Sequence, residues 1–248
     1  MIIRYRYRMS LVWLIFTGWL TGNAQDLFDK DYIHTSIGTL EITFIGHASL
    51  MFLIDDYVIY FDPSHSVADY KNLPKADMIL ITHHHSDHCD PIAVSEIRKD
   101  DTKIITTERG HERLNKGMIV KNDQTLILDG FRIEVVPAYN IVHKRRNGEL
   151  YHPKGEGNGY ILTIGDKRIY VAGDTENIPE MKKLKYIYIA FLPINEPYTM
   201  TPEMVADGIR GFKPKIVYPY HHSGTNVKKL VELLGTGNET ELRLRRMY

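Results

Sequence analysis

Residues 83 to 88 read His-His-His-Ser-Asp-His, four imidazoles and one carboxylate within six positions. Neutral imidazole and carboxylate are donors suited to zinc and other transition metals. The cluster follows the apolar run Met78-Ile79-Leu80-Ile81, which reads as a buried strand. Side chains of an extended segment alternate in direction, so His83 and His85 face the same way and His84 the other. His84 is therefore read as a bystander. Asp87 and His88 come just after, where a turn aims them at a second point. That arrangement can serve two adjacent ions, as two-metal hydrolysis requires.

More candidate donors stand at the ends of other apolar segments. Gly173-Asp174-Thr175 follows Ile169-Tyr170-Val171-Ala172; Asp174 reads either as a ligand shared by two ions or as an Asx turn. His221 and His222 end Ile216-Val217-Tyr218-Pro219-Tyr220, His47 closes the first strand, and Asp62-Pro63 closes another. The C-terminal ends of strands are where α/β folds commonly place their sites. Cys89 adjoins His88. A thiolate binds zinc well, but a small buried packing group is the favoured reading.

Strand signals run from Leu40 onward. Leu40 to Ile45 alternates, and Leu50 to Ile54 and Tyr57 to Phe61 form a hairpin at Asp55-Asp56. Asp77 to Thr82 carries the histidines, Pro91 to Lys99 is a helix, Lys103 to Thr107 a strand and Glu108 to Asn115 a short helix. In the second half, strands flank Asp129-Gly130 and Gly165-Asp166, and Tyr186 to Leu192 is apolar. Pro202 to Gly211 is a helix with Thr201 as N-cap, then come a strand at Lys215 to Tyr220 and a helix at Thr225 to Leu234. Mixed strands and helices give an α/β (α+β) class, two sheets packed together with helices outside. Asn140 to Asn158 breaks this rhythm as a long polar loop holding Lys144-Arg145-Arg146, His152 and Lys154. Its basic run reads as a solvated tip, with an anionic substrate as the alternative.

The 248 residues are 43% hydrophobic and 25% charged with zero formal net charge, an ordinary composition for a single globular domain. No global charge argues for nucleic acid or an anionic membrane as partner. Residues 1–24 read as a signal peptide: Arg4, Arg6 and Arg8, an apolar stretch from Leu11 to Leu20, then Gly22-Asn23-Ala24. The expectation is cleavage before Gln25, export to a periplasm, no stable membrane anchor and one domain over residues 25–248. Cys89 is the only cysteine, so no internal disulfide forms.

His83-x-His85-x-Asp87-His88 matches the His-x-His-x-Asp-His signature of the metallo-β-lactamase superfamily, and the Gly173-Asp174-Thr175 and Tyr220-His221 segments fall where that family places later ligands. Phe44-Ile45-Gly46-His47-Ala48-Ser49, Asp62-Pro63 and Phe191-Leu192-Pro193 resemble its ascorbate-6-phosphate-lactonase-like branch of metal-dependent hydrolases. The resemblance spans Leu40 to Leu234. It implies a four-layer αβ/βα sandwich with the site at one edge. It implies His83 and His85 on a first ion, Asp87, His88 and His221 on a second, and Asp174 bridging. Asp62 becomes a support and His47 a residue near the mouth. The family's third histidine for the first ion aligns with Asn140, whose amide oxygen is a poorer zinc ligand than imidazole. His143 or His152 is then the substitute, with His152 preferred, as ligand or as substrate-facing acid.

The function so implied is a metal-dependent hydrolase. Zinc, with manganese or iron as alternatives, makes hydroxide available at neutral pH and polarises the scissile group. Asp87 and His152 are the candidate catalytic residues, and His152 or Lys154 would stabilise the anion or protonate the leaving group. The substrate is a small ester, lactone, amide or phosphodiester. The rivals are a metal- or ligand-binding protein without turnover, which Asn140 favours, and an iron oxidoreductase using the same cage.

Overall fold

Two hairpin-rich halves each build one sheet. The structure, a computed structural model, describes residues 27–237 and 239–247. The first sheet runs β1 (Asp29–Thr35), β2 (Gly38–Gly46), β3 (Ser49–Ile54), β4 (Tyr57–Phe61), β5 (Ala76–Leu80), β6 (Arg98–Thr106) and β7 (Met118–Ile119), in that spatial order. Helices α1 (Pro91–Ile97) and α2 (Glu108–Leu114) belong to this half. The second sheet runs from β8 (Thr125–Leu128) through β9 (Phe131–Ala138), β10 (Gly157–Ile164), β11 (Lys167–Val171), β12 (Ile189–Pro193) and β13 (Ile216–Tyr220) to β14 (Glu241–Leu242). Its helices are α3 (Pro179–Lys182), α4 (Pro202–Phe212) and α5 (Val227–Leu234).

Both sheets follow one plan. β1 to β4 and β8 to β11 pair antiparallel; β4 to β7 and β11 to β14 pair parallel. The turns obey local chemistry. Asp129 and Gly130 both take positive φ, 48° and 85°, as a two-residue hairpin with the right twist demands. β12 and β13 are buried along their whole length, the mark of strands covered on both faces.

Three cores define four layers. Phe44, Phe52, Phe61, Phe191 and Tyr218 fill the space between the sheets, with Phe191 stacked on Tyr218 at 5.2 Å. On the outside of the first sheet Ala93, Val94, Ile97 and Leu114 of α1 and α2 meet Ile79, Ile81 and Ile104. Outside the second, Met181, Val205, Ile209, Phe212 and Leu230 meet Tyr170, Ala190, Leu192 and Val217. This is the expected αβ/βα sandwich.

The helix starts are set by their caps. Asp90 accepts from the backbone N–H groups of Ile92 and Ala93 ahead of Pro91, and Thr201 accepts from Met204 ahead of Pro202. α1 stops at Ile97 because Arg98 turns extended and opens β6, sooner than the sequence pattern places it.

The signal peptide is a correction. Residues 1–24 lie outside the described residues, and among the described residues no signal peptide or membrane helix is seen; no described helix is long and apolar enough to cross a membrane. Nothing in the described structure bears on the periplasmic location read from that segment.

Candidate metal centre

The C-terminal ends of β2, β4, β5, β11 and β13 open at one edge of the sandwich, and each delivers a polar residue there. β5 leads through Thr82 into His83, His85, Asp87 and His88; β11 leads to Asp174, β13 to His221, β2 to His47 and β4 to Asp62. Three of these residues, His47, Asp62 and His221, hold left-handed backbone at φ 50°, 44° and 51°. Non-glycine residues there are uncommon and cluster at functional sites.

The side chains gather into two groups of donors, each with its candidate ligand atoms within 4.8 Å of one another. The first is His83, His85, His152 and Asp174; the second is His47, Asp87, His88 and His221. Asp174 stands between them. Its Oδ2 lies 3.2 Å from His152 Nε2 and 3.8 Å from His83 Nε2, while Oδ1 lies 3.5 Å from His88 Nε2. Asp87 Oδ2 is 3.0 Å from His47 Nε2 and 3.6 Å from His221 Nε2.

Several of these atoms make no hydrogen bond within the protein and have only the longer contacts to the opposing groups. His88 Nε2, His221 Nε2 and Asp174 Oδ1 are buried without a hydrogen-bond partner. Leaving a buried polar atom unsatisfied is costly, so such a convergence asks for an explanation. A cation answers it, and a set of three imidazoles and one carboxylate in each group is compatible with a metal centre.

The protonation pattern agrees. Burial, and next the neighbouring His88, hold the His83 imidazole well below its usual range; burial and His152 bring His85 down to about 4. Both rings are thus neutral with a lone pair to offer. Burial would raise Asp87 and Asp174, yet the surrounding histidines hold both carboxyls far below their usual range. Burial would likewise depress His88, but Asp174 and Asp62 raise it to about 10. Without a metal, the surrounding carboxylates favour the protonated form of His88.

Buried partners fix the rings from behind. Asp62 Oδ2 faces His88 Nδ1 at 2.8 Å and accepts from Thr82 Oγ1 at 2.6 Å, and Asp62 Oδ1 accepts from the Thr82 backbone at 2.7 Å. Thr82 Oγ1 in turn meets His83 Nδ1 at 3.1 Å. A carboxylate behind a histidine turns its other nitrogen outward and raises its basicity.

His152 enters the first group from the long loop, and Asn140 orients it. Asn140 Oδ1 lies 2.6 Å from His152 Nδ1, while Asn140 Nδ2 donates to Glu176 Oε1 at 3.0 Å and to the Tyr198 carbonyl at 2.9 Å. With its amide donors committed, Asn140 can only accept from the imidazole. His152 therefore carries a proton on Nδ1, and its Nε2 is the atom turned to the site, 3.2 Å from Asp174 Oδ2. The fully buried Glu176 anchors this loop, accepting from the backbone N–H groups of Ile141, Val142 and His143. Nothing in the sequence pattern singles out Glu176; its signal is spatial.

The other expectations separate cleanly. His143 turns away, its Nδ1 meeting Thr199 O and Glu176. Lys154 pairs with Glu180 at 2.8 Å, lies over the Tyr139 ring and does not line the cavity at the donor groups. His84 and His222 join neither group. Cys89 is buried with Sγ toward Gly110 O, a packing residue. His47, expected only near the mouth, stands within the second group. An open cavity of about 420 Å³ gives access to His85, Asp87, His152, Asp174 and His221.

Known proteins agree with this architecture. Residues 41–221 match the family model described as the β-lactamase superfamily domain, and the chain belongs to the metallo-β-lactamase superfamily. A relative in Enterococcus faecalis, named a UPF0173 metal-dependent hydrolase, is 31% identical over 196 residues, covering 74% of this chain and 87% of its own. Another, in Ligilactobacillus salivarius, bears the same name and is 32% identical over 194 residues, covering 73% and 84%. A solved structure from Parabacteroides distasonis, assigned as a metal-dependent hydrolase, superposes with TM-score 0.85 at 47% identity, covering 89% of this chain and all (100%) of that one. A metallo hydrolase from Ignicoccus hospitalis, at 22% identity and TM-score 0.68, shares the fold. The narrower ascorbate-6-phosphate-lactonase-like branch is not confirmed by these relatives.

Proposed function

We propose that this chain is a metal-dependent hydrolase of a small ester, lactone, amide or phosphodiester, with two zinc ions as its cofactor. One observation carries the reading: three buried atoms from three strand ends, none with a hydrogen bond, converge between two donor groups. His83, His85 and His152 would hold one ion, Asp87, His88 and His221 the other, with Asp174 shared and His47 beside Asp87. Bound zinc would supply an activated water at neutral pH and polarise the scissile group.

The chain's own residues do the rest. Asp62 and Thr82 fix His88 and His83 before substrate arrives. Asn140 accepts from His152 Nδ1 and so turns Nε2 toward the site, the orientation a ligand role needs. Asp87, which lines the cavity, is held by His47 Nε2 at 3.0 Å. The reading without turnover drew on Asn140 as a defective ligand. His152 reaches the place expected of Asn140, which counts against that reading.

The test is turnover of chromogenic esters, lactones, amides and phosphodiesters by the purified chain. Activity abolished by chelator and restored by zinc, and lost in Asp87→Ala with the fold intact, supports the reading. Metal-loaded protein that turns over none of these classes contradicts it.

A further inference from the structure

Arg145 stands at the mouth of the cavity that reaches the donor groups. Its backbone is pinned. Its N–H donates to Glu149 O at 2.7 Å, its carbonyl accepts from Gly148 N at 2.9 Å, and a bridge between Lys144 and Leu150 brackets the turn. The guanidinium lies over the Tyr151 ring, 5.2 Å from its centroid, and Nη2 donates to the Tyr151 carbonyl at 3.1 Å. Nη2 also approaches His85 Nε2 at 3.4 Å.

What the guanidinium lacks is an anion. Among the described residues no carboxylate oxygen lies within 4.0 Å of it. The acids of the adjoining cavity are engaged elsewhere: Glu156 pairs with Arg109 at 2.6 Å, and Glu149 accepts from Asn147 at 2.9 Å. Every hydrogen bond of the side chain uses Nη2, so Nε and Nη1 remain open. A guanidinium is a planar fork that matches carboxylate or phosphate. Lys144 and Arg146, next in sequence, line neither this cavity nor its neighbour.

We infer that Arg145 recognises a carboxylate or phosphate group on the substrate, whose body rests against Tyr151 and Tyr198. Those two rings meet edge to face at 5.0 Å and both line the cavity. The inference rests on the hydrolase reading and narrows it to small acidic molecules. The electrostatics are consistent. Asp87 and Asp174 alone would repel an anion, but two divalent ions would outweigh two carboxylates.

The experiment is a calorimetric titration of the zinc-loaded full chain with benzoate and with phenylphosphonate, using benzamide as the neutral partner. Arg145→Ala and Arg145→Gln are expected to weaken anion binding about tenfold or more, and benzamide binding less than about twofold. Lys144→Ala and Arg146→Ala should leave the anions within about twofold. The stronger of the two anions identifies the oxyanion. Three results would each overturn the inference: no anion binding, equal binding by Arg145→Ala and the unaltered chain, or equal losses in all three basic positions. No turnover is needed, so absent hydrolysis with anion discrimination intact counts against the hydrolase reading alone.

Discussion

Asn140 sits where the resemblance puts a third ligand, and in the structure it serves His152, the substitute the sequence favours. Its position aligns with a ligand, but its side chain is used as an acceptor that sets the tautomer of His152. Asn140→His should therefore fail to tighten metal binding. Asn140→Ala should weaken it by about tenfold to a hundredfold, the usual cost of losing a partner behind a metal ligand. Competition with a chromogenic chelator measures both. Cys89 gives an independent check on burial. Burial, with Asp62 nearby, pushes its thiol up to about 12, and the side chain is inaccessible. Iodoacetamide at pH 8 should leave it unlabelled in the native chain and label it in denaturant; rapid native labelling would contradict the packing role.

At the scale of elements, the site is made by strand ends, and tight turns aim them. Gly173, at φ 65° just after β11, is one such turn; a Cβ there would meet Asn158 O at 2.8 Å and Thr82 Cβ at 2.9 Å. Gly173→Ala should cost about 2 kcal/mol or more, since neither contact nor φ can relax without moving Thr82 and Asp174. A thermal melt reads the loss, and metal affinity should fall with it. The His83 to His88 strand end, both glycine hairpins and α4 were legible because short-range spacing encodes them. β1, α3 and β14 were not. β1 is exposed at alternate positions, α3 has only four residues, and β14 has two. Each is defined by what it pairs with. His47 was legible as a strand-end histidine but not as a group member, because its place depends on a turn and on chain far away in sequence.

Across the whole molecule, the C-terminal tail closes the structure on its own site. Arg245 pairs with Asp31 of β1 at 2.6 Å, Met247 is fully buried in the core between the sheets, and its carbonyl accepts from His47 N at 2.9 Å. The His47 carbonyl then accepts from His221 N at 2.8 Å. Met247→Ala should destabilise by about 2–5 kcal/mol and loosen the second group along with the fold. The charge balance predicts a pH signature as well. In metal-free protein His88 is raised from 6.5 to about 10, so its charge stabilises fully below 6.5, and that contribution is lost as pH rises toward about 10. The melting temperature of the metal-free chain should fall over that window, whereas bound metal replaces the proton and removes the dependence on His88. The most direct measurement of the central claim is the metal-to-protein ratio of the full chain by plasma mass spectrometry. About two ions per chain, falling to about one or fewer in Asp174→Ala, is the expected result. No bound metal after incubation with zinc, manganese and iron would contradict it.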